Sequence, residues 1–457
     1  MKKNCYLLIT LILAGWGVKS QPPAFSCTDP HYYCSLNMTD SFFLYNSGKI
    51  DSTIDVSYAK NPEDAAFVDV EYALDKSDNN VSCVEADDCI EDPDALIFKA
   101  YFPKWANNWE EGYPFYASCP LPMIIMVHGG GFSDCSTKEA EDIRFMCIEL
   151  AKKGFVVFNL EYRRGKISSN QSIKTASQVL AVYRAIQDIR GAIRSICALY
   201  RDSEFDGQFT IDTTKLFLGG ASAGSGAVLG VAYLQTQTMV NAVCPNVSSF
   251  LGTIDPDFYY ASADDYDIPE IRGMFDMWGE FPMPGTVVDE TSAEDFFDDN
   301  IYIIPVISFH GDDDPVTTPN SREINFPANN NSLRTTNLCL SGDFTLNHTS
   351  TSNAHDLTMI GTLSLCKLVR HFGKRAEGYI DCLMGHGIDN DCIGTGCGSY
   401  QTEFGTGLTT KRAVQVYMAA RAAVFFQSIL LSSSAIPGQN TFIECNNTRI
   451  NLSLIHI

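Results

Sequence analysis

Leu216-Phe217-Leu218-Gly219-Gly220-Ala221-Ser222-Ala223-Gly224 opens with three apolar residues and closes with a serine framed by alanine and glycine. The apolar triplet reads as a short buried strand, and the residues after the serine, through about Leu234, read as a helix. Gly220-Ala221-Ser222-Ala223-Gly224 is a G-x-S-x-G pattern between the two. A serine there occupies a tight strand-to-helix turn and lifts its hydroxyl above the sheet. The flanking glycines leave room for such a turn. The helix N-terminus behind it favours negative charge.

The chain around this turn alternates in the same way. Met123 to Val127 is continuously apolar, as expected of a strand covered on both faces. It runs into His128-Gly129-Gly130-Gly131-Phe132. Three successive glycines cost conformational entropy, so that backbone must be approached closely by something. Residues 137–152 read as a helix ending near Gly154, and Phe155 to Leu160 as the next buried strand. Ile173, Val179, Val182 or Tyr183, Ile186, Ile189 or Ile193, Ile196 and Leu199 carry helical spacing through 171–200. Strands are expected at 271–278, 303–309 and 378–382, and helices at 358–371 and 411–431. Strand and helix alternating in this way imply an α/β fold, a doubly wound, mostly parallel sheet with helices on both faces. Residues 245–268, 281–300 and 325–357 are expected to be irregular insertions, and the acidic 281–300 stretch to be a lid or rim loop or a plain solvated one. No internal repeat occurs.

Residues 1–20 have the form of a signal peptide: Lys2 and Lys3, an apolar stretch from Cys5 to Ala14, and small residues before a cleavage point near Ser20 and Gln21. The apolar stretch is too short to span a bilayer. Trp16 stands where a lipidated cysteine would belong. The expected destination is therefore extracellular, without membrane insertion. Residues 21–94 are acidic and turn-rich, and the alternation over Ile54 to Tyr58 suggests antiparallel strands of the same domain. Leu96 to Phe102 continues that pattern and stops at Pro103. The catalytic domain is expected over 95–431, with a tail at 432–457. Leu452 to Ile457 has the appearance of a translated sequencing adapter, so the natural C-terminus is expected to differ there.

The chain has 457 residues, 45% of them hydrophobic and 19% charged, enough for one large α/β domain. Its formal net charge of −23 repels nucleic-acid phosphate, which removes nucleic acid from the expected partners. Sixteen cysteines suit an exported chain, and fifteen remain once Cys5 leaves with the signal. Cys27/Cys34, Cys83/Cys89 and Cys392/Cys397 are spaced for small-loop disulfides, whereas Cys147, Cys197 and Cys366 fall in helix-like stretches as buried free thiols. No zinc-type pairing of CxxC motifs appears, and no metal or cofactor is expected. Sequons for N-glycosylation begin at Asn37, Asn80, Asn170, Asn246, Asn330, Asn347, Asn446 and Asn451.

A serine nucleophile needs a base, and the base an orienting acid. Of eight histidines, His31 and His128 precede the serine, His310 ends a strand, His348 and His355 sit in a polar insertion, His371 suits a helix C-terminus, and His456 lies in the tail. His386, between Gly385 and Gly387 after a strand, is the expected base. The acid should follow a strand between Ser222 and His386. His310-Gly311-Asp312-Asp313-Asp314-Pro315 offers three aspartates, which cannot all be buried together. Gly311 turns the chain, so that Asp314 can fold back over the sheet edge; Asp312 is its rival. A dinucleotide site fits badly, because Gly224-Ser225-Gly226 lacks the G-x-G-x-x-G spacing and a following acid, and no GK[ST] supplies a phosphate loop.

Together these pieces resemble the α/β-hydrolase superfamily, in particular its carboxylesterase/lipase branch with an H-G-G-G motif. The resemblance rests on His128 to Phe132, Glu161-Tyr162-Arg163, Gly220 to Gly224, His310 to Asp314 and Gly385-His386-Gly387, in that order over about 95–431. In that family the acid is the third residue after the H-G turn, which favours Asp314. The resemblance implies acyl transfer: Ser222 as nucleophile, His386 as base, Asp314 orienting it, and the N–H groups of Gly130, Gly131 and Ala223 holding the oxyanion. His128 is then a structural residue of its loop. The cysteine-rich N-terminal segment and the long stretch between acid and histidine depart from the pattern and leave the substrate open. The implied substrate is a short-chain, aryl or carbohydrate-linked ester, such as an acetyl or feruloyl group on a polysaccharide. Two rivals share the fold: an inactive binding or adhesion protein, and a serine peptidase, which the roughly 75 residues before the sheet are too few to furnish with a propeller or cap.

Overall fold

Apolar runs set the centre of the molecule. In this computed structural model every residue of Leu121–Val127, Val156–Leu160 and Val306–Gly311 is buried, as largely apolar strands must be when helices cover both sheet faces. The structure describes residues 50–52, 56–57, 96–103, 120–132, 138–164, 171–205, 209–243, 247–284, 286–287, 290–297, 301–311, 314–324, 357–381, 385–387 and 411–432.

In chain order the strands and helices begin with β1 (Ile50–Ser52), β2 (Val56–Ser57), β3 (Ile97–Pro103), β4 (Leu121–Val127), α1 (Glu141–Ala151), β5 (Val156–Leu160) and α2 (Gln171–Arg201). The serine-bearing half follows: β6 (Ile211–Ala221), α3 (Ala223–Tyr233), α4 (Gln237–Val243), α5 (Val247–Leu251), β7 (Ile271–Met277), β8 (Glu280–Pro284) and α6 (Glu290–Phe296). Then come β9 (Val306–Gly311), β10 (Ser321–Ile324), β11 (Leu357–Gly361), α7 (Thr362–His371), β12 (Ala376–Asp381) and α8 (Lys411–Ser432).

The main sheet runs β1-β3-β5-β4-β6-β7-β9-β12, with β2 also paired to β3. The six strands from β5 to β12 are parallel; β3 is antiparallel to β5, and β1 and β2 are antiparallel to β3. The order reverses at β5-β4-β6, and ligands of open α/β sheets bind beyond the carboxyl ends of strands at such a switch. Val127 at the end of β4 pairs with Gly220 of β6, so the glycine run and the serine turn leave the sheet side by side.

Four expectations need correction. The helix expected at 358–371 is a strand followed by a helix. β11 pairs with β8 and β10, and the helix begins only at Thr362. Gly361 N–H donates to the Asn320 carbonyl and Leu363 N–H to that of Pro319, so pairing with a distant segment outweighs the helical periodicity that continues upstream. The 281–300 stretch is not irregular: it holds β8 and α6, with Phe281, Met283, Ala293 and Phe297 buried beneath an acidic exterior. Residues 245–268 contain α5 and a buried Tyr259. β6 also extends well beyond 216–218, because a register shift at Pro122/Met123 lets its polar first half pair with β4. Cys147, Cys197 and Cys366 are buried free thiols; the expected signal peptide, the three close cysteine pairs and the asparagines of all eight sequons lie outside the described residues.

Candidate active site

Ser222 stands between the last residue of β6 and the first of α3, with φ 52° and ψ −120°. A non-glycine residue held at positive φ costs on the order of 1–3 kcal/mol and persists only where its surroundings enforce it. The enforcement is visible. The Ser222 N–H donates to the Met277 carbonyl, and the Gly226 N–H donates to the Ser222 carbonyl. The bare Cα of Gly224 faces the Val127 and His128 carbonyl oxygens, where a Cβ would overlap both. On the other side, a Cβ on Gly129 would stand 3.2 Å from the Ser222 Cβ. The two glycine-bearing stretches therefore touch backbone to backbone, which answers why the loop at 129–131 is bare. Gly130 and Gly131 have φ 112° and 62°, conformations that favour glycine. Ala223 opens α3, where N–H groups have no partner within the helix.

His128 is wholly buried, and its ring nitrogens face partners other than the serine hydroxyl. Its Nδ1 lies 2.8 Å from the Gly129 carbonyl, its Nε2 lies 3.0 Å from Glu161 Oε1, and its ring stacks on Tyr162 at 4.5 Å. Tyr162 donates its hydroxyl proton to the His128 carbonyl at 3.1 Å, and Glu161 Oε2 accepts the Lys138 N–H. Burial pushes the Glu161 carboxyl up, but the attraction of His128, its hydrogen bond and Arg164 outweigh that, so its pKa falls below the usual value. Glu161 and Tyr162, leaving β5, thus hold the glycine loop in place.

The structure brings Ser222, His386 and Asp314 into one line. Ser222 Oγ is 2.7 Å from His386 Nε2, and His386 Nδ1 is 2.8 Å from Asp314 Oδ2. Asp314 is an acceptor, so Nδ1 carries the proton and Nε2 is left free to accept from the serine hydroxyl. The other Asp314 oxygen accepts the Val316 and Thr317 N–H groups at 2.7 and 3.0 Å. Burial raises the Asp314 carboxyl, yet the hydrogen bonds and charge of His310 and His386 prevail and hold it well below the usual carboxylate range. It therefore stays ionised at neutral pH. Asp312, the rival acid, lies outside the described residues.

Two contacts were not anticipated from sequence. His310 Nε2 is 3.1 Å from Asp314 Oδ2, making a second imidazole on the same carboxylate oxygen. The Thr317 hydroxyl is 2.7 Å from that oxygen and 3.0 Å from the Trp278 carbonyl. Of the remaining histidines, His371 pairs with Glu294 at the end of α7, as its terminal position suggests, and His31, His348, His355 and His456 lie outside the described residues. Among the described residues no cluster of His, Cys, Asp and Glu is disposed to hold a metal, and no helix is long and apolar enough to cross a membrane.

Residues 113–255 match the BD-FAE family, an esterase domain of the α/β-hydrolase type. The match takes in the glycine loop and the serine turn and ends before Asp314 and His386. No curated protein sequence matches the chain. Among solved structures, an esterase from Thermogutta terrifontis with propionate bound is 15% identical, with 72% of this chain and 89% of that one covered and a TM-score of 0.37. A truncated carbohydrate esterase from gut microbiota is 14% identical, covering 76% of this chain and 91% of its own at 0.36. Esterase B from Lactobacillus rhamnosis, inhibited with a tributyrin phosphonate, is 13% identical, covering 72% and 84% at 0.32. The strand order and the serine turn are those of an α/β-hydrolase fold, and the matched segment is similar to an esterase domain of that type.

Proposed function

We propose that this chain is an exported serine esterase that hydrolyses short-chain, aryl or carbohydrate-linked esters through an acyl-enzyme on Ser222. The observation that carries this reading is the continuous line from Ser222 Oγ through His386 to Asp314, 2.7 and 2.8 Å per step.

In this mechanism Ser222 Oγ attacks the ester carbonyl carbon as His386 Nε2 takes its proton. Negative charge then builds on the carbonyl oxygen, and the N–H groups of Gly130, Gly131 and Ala223 receive it. Each such donor is worth about 10²–10³ in rate. Asp314 stabilises the imidazolium that forms and keeps the ring in register. The C–O bond to the alcohol breaks, and His386 gives its proton to the departing alkoxide. A water molecule next attacks the acyl carbon, His386 takes its proton, and the proton returns to Ser222 Oγ as the acid leaves. The signal-like N-terminus supports export, and the match of 113–255 to an esterase domain supports ester over peptide.

The test is Ser222→Ala with p-nitrophenyl acetate and a fluorophosphonate probe. Turnover and labelling should both vanish while the near-UV circular dichroism stays as in the wild type. Turnover that survives the substitution sinks the assignment of the nucleophile.

A further inference from the structure

Asp276 is a second buried carboxylate beside the site, and nothing in the Ser222–His386–Asp314 line uses it. It is wholly buried on β7, paired with Gly220 two residues before the serine. One oxygen accepts the Ser225 hydroxyl from the first turn of α3 and the Gly279 N–H at 2.9 Å. The other accepts the Ser308 hydroxyl from β9 at 2.7 Å and the Thr362 hydroxyl from the start of α7 at 3.2 Å. Thr362 Oγ1 is in turn 3.0 Å from His310 Nδ1, and its single proton serves one of these two contacts at a time. A line of hydrogen-bonded groups thus runs Asp276–Thr362–His310–Asp314–His386–Ser222, with the His310 ring wholly buried between two carboxylates. Around Nε2 of His310 lie the Asp314 carboxylate and, at 3.3 Å each, the Thr317 carbonyl and the Thr317 hydroxyl, which points its proton to Asp314 or Trp278. The carboxylate and the carbonyl are acceptors without hydrogen, so Nε2 carries a proton toward them.

We propose that His310 is a positioning residue for the triad acid, its ring held by Thr362 and Asp276 so that its Nε2–H donates to the Asp314 oxygen that also receives His386. The inference rests on the triad reading above. A second donor does two things to that oxygen. It pins the carboxylate against rotation, and it spreads charge that would otherwise fall entirely on the bond to His386. The pull of that oxygen on the His386 Nδ1–H is correspondingly weaker. Among the described residues the ionisable groups facing Asp314 are His310 and His386. Those acting on or felt from Asp276 are Tyr233 of α3 and Cys366 of α7; burial pushes the tyrosine well up and the thiol to about 12, so both stay neutral at working pH.

The experiment compares pH–rate profiles of the full chain on p-nitrophenyl acetate for wild type, His310→Leu, His310→Gln, Thr362→Val and Thr362→Ser. His310→Leu should lower kcat about ten- to a hundredfold with KM little changed, and move the acidic limb of kcat/KM up by about half a pH unit or more. Thr362→Val should move the limb in the same direction by less. His310→Gln, which returns an N–H near the lost Nε2, and Thr362→Ser should restore the wild-type limb. Should His310→Leu fail to fold, the near-isosteric Thr362→Val decides. A limb that stays in place in the folded His310→Leu or Thr362→Val variant overturns the inference. If the wild type itself neither labels at Ser222 nor turns over ester, the triad reading falls and this one with it; if it does both and the limb still does not move, only this inference falls.

Discussion

Asp314 carries more of the site than any other single residue, since five groups converge on its two oxygens: two imidazoles, one hydroxyl and two backbone N–H groups. Its folded pKa lies below the unfolded value near 3.9, so its ionised form stabilises the fold above about pH 4, and that contribution is lost as pH falls toward the folded pKa. Asp314→Asn keeps the shape and removes the charge. Its kcat should fall by about 10⁴, because the imidazolium loses its counter-charge and the tautomer is no longer enforced. The gap in melting temperature between wild type and variant should narrow as the pH drops from 7 to 3. A kcat within tenfold of wild type, or a gap independent of pH, counts against this role. His310 is the residue that sequence reading passed over at this scale. Its place at the end of a strand in a histidine-glycine turn was legible, but its contact with Asp314 depends on how residues 314–317 fold back.

Between elements, the decisive contact is the backbone of β4's exit loop against the first turn of α3. A methyl on Gly224 would overlap the Val127 and His128 carbonyl oxygens, and these belong to a fully buried strand end that has nowhere to go. Gly224→Ala should therefore part the glycine loop from the serine turn. We expect a loss of about 1–3 kcal/mol in stability and a fall in kcat larger than any rise in KM, measured by urea denaturation and steady-state kinetics. An unchanged unfolding midpoint means the loop yields more readily than its burial implies. The order in which strand, turn and helix occur around Ser222 followed from local patterning. The division of 357–371 into strand and helix did not, since only the pairing of β11 with β8 and β10 defines it.

Across the whole molecule, the exit of β5 is tied to the middle of α2 and to the turn at 258–259. Arg163 donates to Asp188 from its backbone at 2.7 Å and from Nε at 2.8 Å, Tyr259 donates to the same carboxylate at 2.7 Å, and Phe258 lies under the guanidinium at 4.8 Å. Arg163, Asp188 and Tyr259 are buried and Phe258 partly so, and removing one charged partner there leaves the other stranded. Asp188→Ala should cost about 3–5 kcal/mol by chemical denaturation, while the fraction that remains folded still labels at Ser222. Wild-type stability would show that Arg163 finds another partner; loss of labelling in folded protein would show that the tie also sets the site.

The sequence by itself determined the sheet's parallel character, the serine turn and the identity of its flanking glycine loop. These follow from short-range rules: apolar runs of strand length, helical spacing, and glycine where backbone must turn or approach closely. His386 and Asp314 were named from chain order and glycine context, and their union with Ser222 is a property of three loops meeting above the sheet. Only the tertiary structure decided that His310 shares the acid, that Asp276 and Thr362 stand behind it, and that an acidic stretch forms β8 and α6. The physical reason is common to all three. A buried hydrogen bond or a strand pairing between residues far apart in the chain depends on packing in three dimensions, and hydrophobic periodicity carries no record of it.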